Sequence, residues 1–197
     1  MRLMKIPYSD GSLDKNKGCE KAPDHIVKLI DEIWSNENHK NIELEIGENI
    51  DFKNNLKKAD FYLGGDHSIT YWTFKEFVKG QKNPGIIIFD AHPDLFNEFK
   101  EPTHVDWLYF LIEEKLVKPE NIIIIGLRNS HVKEIEYASK NKIKLYPMNQ
   151  IFNNLENVCD TIMEAAMDFD SLYLSLDIDV LDPAFAPGTG YLEPGGL

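Results

Sequence analysis

The chain has 197 residues, with 21 Lys and Arg against 33 Asp and Glu for a net charge of −12, and is 43% hydrophobic and 27% charged. That length suits one domain, expected over residues 1–197, which can bury roughly 70% of its unfolded surface without a disulfide or zinc staple. The composition excludes disorder and fibre, and the acidic balance excludes a binder of nucleic-acid backbone, which needs a basic patch, while suiting a small cationic substrate.

The first expected element is a helix over residues 24–36, where Ile26, Leu29, Ile30, Ile33 and Trp34 repeat at helical spacing. A short strand around Ile42–Ile46 and a short helix near 53–59 follow. Phe61-Tyr62-Leu63 is strand-like and runs into Gly64-Gly65, with a helix from Ser68 to Lys79. Gly85–Phe89, Asn121–Ile125 and Leu172–Leu176 are continuous apolar runs, the pattern of strands covered on both faces. Helices are expected at 104–117, 131–140 and 154–168. Buried strands alternating with helices imply an α/β fold of three layers, α/β/α, around a mostly parallel sheet.

Cys19 and Cys159 lie far apart without a CxxC pattern, which fits a reducing compartment, and no apolar run approaches the roughly 20 residues of a membrane span. A cytoplasmic protein is expected.

Ligands of open α/β sheets sit beyond the carboxyl ends of the strands, and three apolar runs lead there into acid and histidine clusters. Gly64-Gly65-Asp66-His67-Ser68 follows the Phe61–Leu63 run. Its glycines permit a sharp turn and close approach to a ligand, and Ser68 is placed to cap the next helix. Asp90-Ala91-His92-Pro93-Asp94 follows Ile86–Phe89. In an extended chain residues 90, 92 and 94 share one side, a carboxylate–imidazole–carboxylate row. In Ser175-Leu176-Asp177-Ile178-Asp179-Val180-Leu181-Asp182-Pro183 the two acids Asp177 and Asp179 again share a side, with Leu176, Ile178 and Val180 opposite, and Asp182-Pro183 reads as a turn. His67, His92 and the four carboxylates Asp90, Asp94, Asp177 and Asp179 can converge on two divalent ions. Such a donor set favours manganese or another borderline metal over structural zinc, magnesium or calcium. Two close metals lower the pKa of a shared water and polarise a substrate carbon. A metallophosphoesterase would instead open with Asp-x-His and carry Gly-Asn-His, which does not occur here.

The order Gly-Gly-Asp-His-Ser, Asp-Ala-His-x-Asp, Ser-x-Asp-x-Asp-x-x-Asp-Pro resembles the ureohydrolases: arginase, agmatinase and formimidoylglutamase. The resemblance covers roughly residues 60–197 and extends through Asp182–Gly190 and Glu193–Leu197. It implies an arginase-like fold and two Mn²⁺ per chain. His67 would bind one ion and His92 the other, Asp90 and Asp177 would bridge them, Asp94 would complete the site of His67, and Asp179 that of His92. It further implies a bridging hydroxide that attacks a guanidinium carbon, urea as product, a small guanidino substrate and a homo-oligomer, trimer or hexamer. His104, ten residues after Asp94, matches a histidine that lines the pocket of the agmatinase-like branch and shuttles protons. The arginase branch has an Asn two residues after the last acid of the second motif, where this chain has Phe96. Both points favour an agmatine-like substrate without an α-carboxylate, with arginase or formimidoylglutamase activity as an alternative.

The chain departs from the family at Pro93, at Val105-Asp106-Trp107 and at Tyr191-Leu192. The family continues past Gly195-Gly196-Leu197 with a carboxylate that grips the guanidinium, so the C-terminal part is apparently missing here, and a metal-binding family fragment without catalysis is the alternative. Asp66 is expected to orient a ligand, His25, His39 and His131 to be surface or capping residues, and Trp34, Trp72 and Trp107 to belong to the core.

Overall fold

Apolar runs at β4 and β5 pair residue for residue, Ile86 with Ile122 through Phe89 with Ile125, and organise the larger of two parallel sheets. A computed structural model describes residues 1–30, 32 and 43–197. The strands are β1 (Arg2–Ile6), β2 (Glu45–Glu48), β3 (Phe61–Gly64), β4 (Pro84–Phe89), β5 (Ile122–Leu127), β6 (Lys144–Pro147) and β7 (Ser171–Leu176). The helices are α1 (Ala22–Ile30), α2 (Ile69–Phe77), α3 (Trp107–Glu113), α4 (Val132–Asn141), α5 (Met148–Asn153) and α6 (Leu155–Ala166). The strand orders are β2-β1-β3 and β6-β5-β4-β7, and every recorded pairing is parallel. No described helix is long and apolar enough to cross a membrane.

Period-two alternation gives the larger sheet its three layers. Ile86, Ile88, Ile122 and Ile124 pack on one face with Phe74 of α2, Trp107, Leu108 and Leu111 of α3, and Ala138 of α4. Ile87, Ile123 and Ile125 pack on the other with Ile151 of α5 and with Val158 and Ile162 of α6. Each such fully buried isoleucine contributes roughly 1.5–3 kcal/mol.

Several expectations change. The sheet is divided in two among the described residues. Strand β7 is not covered on both faces: Tyr173 and Ser175 turn toward α2, while Leu172, Leu174 and Leu176 are 45%, 62% and 62% exposed. Residues 53–59 form no helix, because the amides of Asn54 and Asn55 return to the Asp51 carbonyl and one turn closes without propagating. The strand expected at Ile42–Ile46 is found at Glu45–Glu48. Of the helix at 24–36, Ala22–Ile30 is helical, with Ile26 and Leu29 exposed; Ile33, Trp34, His39 and Ile42 lie outside the described residues. Strands β1 and β6 and helix α5 were not expected.

Candidate metal centre

Three loops at the carboxyl ends of β3, β4 and β7 carry the clustered residues. The turn after β3 is built by close approach rather than by left-handed glycines. A Cβ on Gly65 would stand 2.0 Å from the Tyr8 carbonyl oxygen, so the first motif packs against the N-terminal segment and not against a ligand. Ser68 precedes α2 but does not cap it with its side chain; its hydroxyl donates to Asp66. The Asp66 carboxylate also accepts the amides of Ser68 at 2.9 Å and Gly11 at 3.0 Å, so its partners are neighbouring backbone groups and not a ligand ring.

Beyond Phe89 the chain leaves the strand, so residues 90, 92 and 94 do not line up by alternation. They converge through a bent loop in which Asp94 adopts φ +53°, a region that Asp tolerates better than most residues. Beyond Leu176 the chain winds into a 3-10 turn at Ile178–Val180 that Asp177 caps by accepting the Asp179 amide at 2.9 Å. Val180 is buried and Ile178 exposed, so Leu176, Ile178 and Val180 share no single apolar face.

His67, Asp90 and Asp177 offer ligand atoms within 4.8 Å of one another, and so do Asp90, His92 and Asp179, with Asp90 common to both groups. The His67 Nδ1 lies 2.9 Å from Asp90, 3.0 Å from Asp94 and 3.2 Å from Asp177 carboxylate oxygens. Asp94 therefore joins the His67 side through that nitrogen. His92 Nδ1 lies 3.1 Å from Asp179 and 3.5 Å from Asp90. The structure brings all six residues together, with Asp177 grouped with His67 and Asp90 and not with His92.

Buried carboxylates this close cannot all stay ionised without a compensating cation. Burial and the Asp90 charge push the Asp177 carboxyl up to about 7 and raise Asp94 further from its ordinary range. Against its burial, His92 is held at about 11 by Asp179 and Asp90. Burial likewise opposes the protonation of His67, yet Asp90 and Asp94 raise it, and the two imidazoles in turn hold Asp90 low against its own burial. The donor set fits divalent ions: His67 Nδ1, turned to Asp90, Asp94 and Asp177, is buried with no aligned hydrogen-bond partner, the condition of an imidazole nitrogen that awaits a cation, and His92 turns its Nδ1 to Asp179 and Asp90.

A cavity of about 300 Å³ opens above this cluster. Its remaining walls include Phe96, His104, Asn129, His131, Glu134 and Tyr191, and among the described residues no Lys or Arg lines it. His104 lies buried in the turn before α3, not within it. His131 caps α4, accepting the Lys133 amide while the Glu134 carboxylate accepts its own amide. His25 is exposed on α1.

Several supporting residues carry no motif signal. Trp107 belongs to the core, as expected, but its Nε1–H also donates to Asp94 at 2.6 Å, and its ring centre is 4.8 Å from that of His67. Arg128 donates to the carbonyls of Gly126, Asp179, Val180 and Glu193, tying the end of β5 to the third motif. Tyr191 places its ring 5.0 Å from His92 and its hydroxyl 3.3 Å from His104 Nε2. The departures from the family pattern at Trp107 and Tyr191 were the visible signals among these; Arg128 gave none.

A profile of the arginase family matches residues 1–197. The agmatinase of Bacillus anthracis is 36% identical over 137 residues, which cover 68% of this chain and 44% of that protein. An arginase of Staphylococcus aureus (strain COL) is 34% identical over 151 residues, covering 68% of this chain and 50% of that protein. In solved structures, the formimidoylglutamase of Bacillus subtilis superposes with a TM-score of 0.88 at 26% identity, over 100% of this chain and 70% of that one. The chain thus spans about half the length of the curated relatives it matches.

Proposed function

The chain belongs to the arginase family, and from that premise we propose that it is a dinuclear manganese hydrolase releasing urea from a small guanidino compound of agmatine type. The observation that carries this reading is the pair of donor groups that share Asp90 beneath one cavity, with the cluster-facing His67 nitrogen buried and unpartnered. His67, Asp90, Asp94 and Asp177 would hold one ion and His92, Asp90 and Asp179 the other, with Asp177 reaching both as the family resemblance implies. Bound there, two divalent ions supply Lewis acidity and lower the pKa of a shared water.

Hydrolysis adds water to the guanidino carbon and breaks its bond to the alkyl nitrogen, giving urea and an amine that takes up a proton as it leaves. His104 is the group placed to move that proton. Its Nδ1 donates to the Gly11 carbonyl at 2.8 Å, which leaves the Nε2 lone pair on the cavity side, beside the Tyr191 hydroxyl.

The walls favour a cation without a carboxylate. Phe96 presents an apolar ring where the arginase branch has Asn, and of the two amides that line the cavity Asn129 already donates to Glu193 at 2.9 Å, which leaves Asn16 for a substrate α-carboxylate to meet. The net charge of −12 favours the approach of a cation.

The test is manganese retained per chain after loading and desalting, wild type beside Asp90→Ala, followed by urea release from agmatine and arginine. About two ions in the wild type, a marked loss in Asp90→Ala and a preference for agmatine are expected. Retained metal without urea from either substrate would leave a metal-binding family member without this catalysis. A folded chain that retains no metal would overturn the whole reading.

A further inference from the structure

The N-terminal loop is fastened to the first motif and to His104 by a single glycine. Gly11 donates its amide to Asp66 Oδ2 at 3.0 Å. Its carbonyl accepts from His104 twice, from the backbone amide at 3.0 Å and from ring Nδ1 at 2.8 Å. Asp66 is itself nearly inaccessible to solvent, and its second oxygen is occupied by the amide and hydroxyl of Ser68. Its own amide donates to the Tyr8 carbonyl at 2.9 Å, so the loop is pinned on both sides of Ser9 and Asp10. Gly11 has no room for a side chain. A Cβ would stand 2.4 Å from Ser68 Oγ and 2.8 Å from Asp66 Oδ1, against a side chain that cannot yield without breaking its own bonds.

We propose that Asp66 and Gly11 are positioning residues for His104: the Asp66 carboxylate fixes the Gly11 peptide, and the Gly11 carbonyl fixes the imidazole tautomer. A carbonyl oxygen can only accept, so the ring nitrogen facing it must carry the proton. Nε2 is then bare and open toward the cavity, the form needed to accept a proton there. The fixed peptide does what a carboxylate does for the imidazole of a hydrolytic triad, holding tautomer and orientation without itself taking the proton. The role of the Gly-Gly-Asp-His-Ser aspartate thereby shifts from orienting a metal ligand to orienting a histidine 38 positions downstream. It deepens the hydrolase reading only in its kinetic consequence; the tautomer follows from geometry.

The test is long-range ¹H–¹⁵N NMR of ring-labelled histidine on the full chain, with the His104 signal identified by its loss in His104→Gln. Wild type should show protonated Nδ1 and bare Nε2. Asp66→Ala, which frees the Gly11 peptide, should shift His104 toward a mixture of tautomers. Asp66→Asn, which keeps one oxygen for the Gly11 amide, should restore the single form. A residue that merely supported the turn would leave the ring signals unmoved. A wild-type ring protonated at Nε2 overturns the proposal by itself, even if Asp66→Ala does not fold. So does a folded Asp66→Ala chain that keeps the single Nδ1–H form. In turnover, Asp66→Ala should lower kcat about tenfold or more with KM little changed. Absence of urea in the wild type would defeat the hydrolase reading while leaving the NMR result decisive for this one.

Discussion

At the residue scale the cluster behaves as a store of protons that a cation must displace. In the metal-free chain Asp177, pushed up to about 7 by burial and Asp90, binds more protons folded than unfolded between about pH 4 and 7. His92, held at about 11 against its burial by Asp179 and Asp90, does the same from about pH 6.5 upward. Both contributions make stability fall as pH rises, so the unfolding midpoint of the metal-free chain should drop between pH 6 and 9. Asp90, held low by the imidazoles, acts in the opposite sense only below about pH 4. Manganese uptake near pH 6.5 should release protons and tighten as pH rises, because imidazoles and carboxylates must be deprotonated to ligate. Calorimetry in two buffers of different ionisation heat reads that release directly, and uptake without it would exclude these residues as the binding site.

The same scale separates what the sequence discloses from what it hides. Charged residues at the end of an apolar run are conspicuous because burial without a cation is costly, so all six cluster members were visible. Trp107 was visible as a core residue and as a departure from the family pattern: its spacing reports which face of α3 is buried, not that an indole N–H at that face reaches Asp94. Trp107→Phe removes that donor and leaves most of the packing. Manganese affinity should weaken about 10- to 100-fold, the usual cost of losing a group that orients a ligand, beside a stability loss of about 1–3 kcal/mol from the cavity left in the core. Metal titration beside thermal melts distinguishes the two, and unchanged affinity would reduce Trp107 to packing alone.

At the element scale, β4 and β5 were legible because a strand covered on both faces must be apolar throughout. Strand β1 was not. Its Arg2 and Lys5 turn to Glu45 and Glu48 on β2, so its sequence reads as a mixed terminal segment although it is the centre of its sheet. The turns that bear the acids were legible in composition but not in shape, since alternation says nothing once the strand has ended. What shapes the third motif is Arg128, a cation with no acid among its recorded hydrogen-bond partners, set among five carbonyl groups at the end of β5. Arg128→Met keeps the stem and removes the donors, leaving the Asp179 and Val180 carbonyls to find water. A loss of at least about 2 kcal/mol is expected from hydrogen bonds to a charged group, together with weaker metal retention, read by denaturant unfolding and by bound manganese. Retention equal to wild type would mean that the 3-10 turn at Ile178–Val180 holds its geometry alone.

At the scale of the whole molecule, among the described residues no strand pairs with the outer edges of the two sheets, and β7, at one such edge, carries an apolar face. Leu172, Leu174 and Leu176 are exposed on β7, and Met163 and Met167 at α6 add to the exposed apolar surface. A soluble chain seldom leaves a contiguous patch of that kind beside an unpaired strand edge, which is also a template for pairing with another chain. The periodicity of Leu172–Leu176 identifies a strand but cannot reveal which of its faces finds a partner, which is why coverage on both faces was expected there. This surface predicts that the 197-residue chain binds an apolar dye such as ANS in its native state and self-associates with rising concentration. Leu174→Lys places a charge at the middle of the patch, where a 62% exposed side chain contributes little to the fold. It should cut dye binding and association while changing stability by no more than about 0.5 kcal/mol. Sedimentation velocity across a concentration series, wild type beside Leu174→Lys, decides the point. Association that the lysine leaves intact would place the contact elsewhere, and a large loss of stability would show that Leu174 is covered in solution.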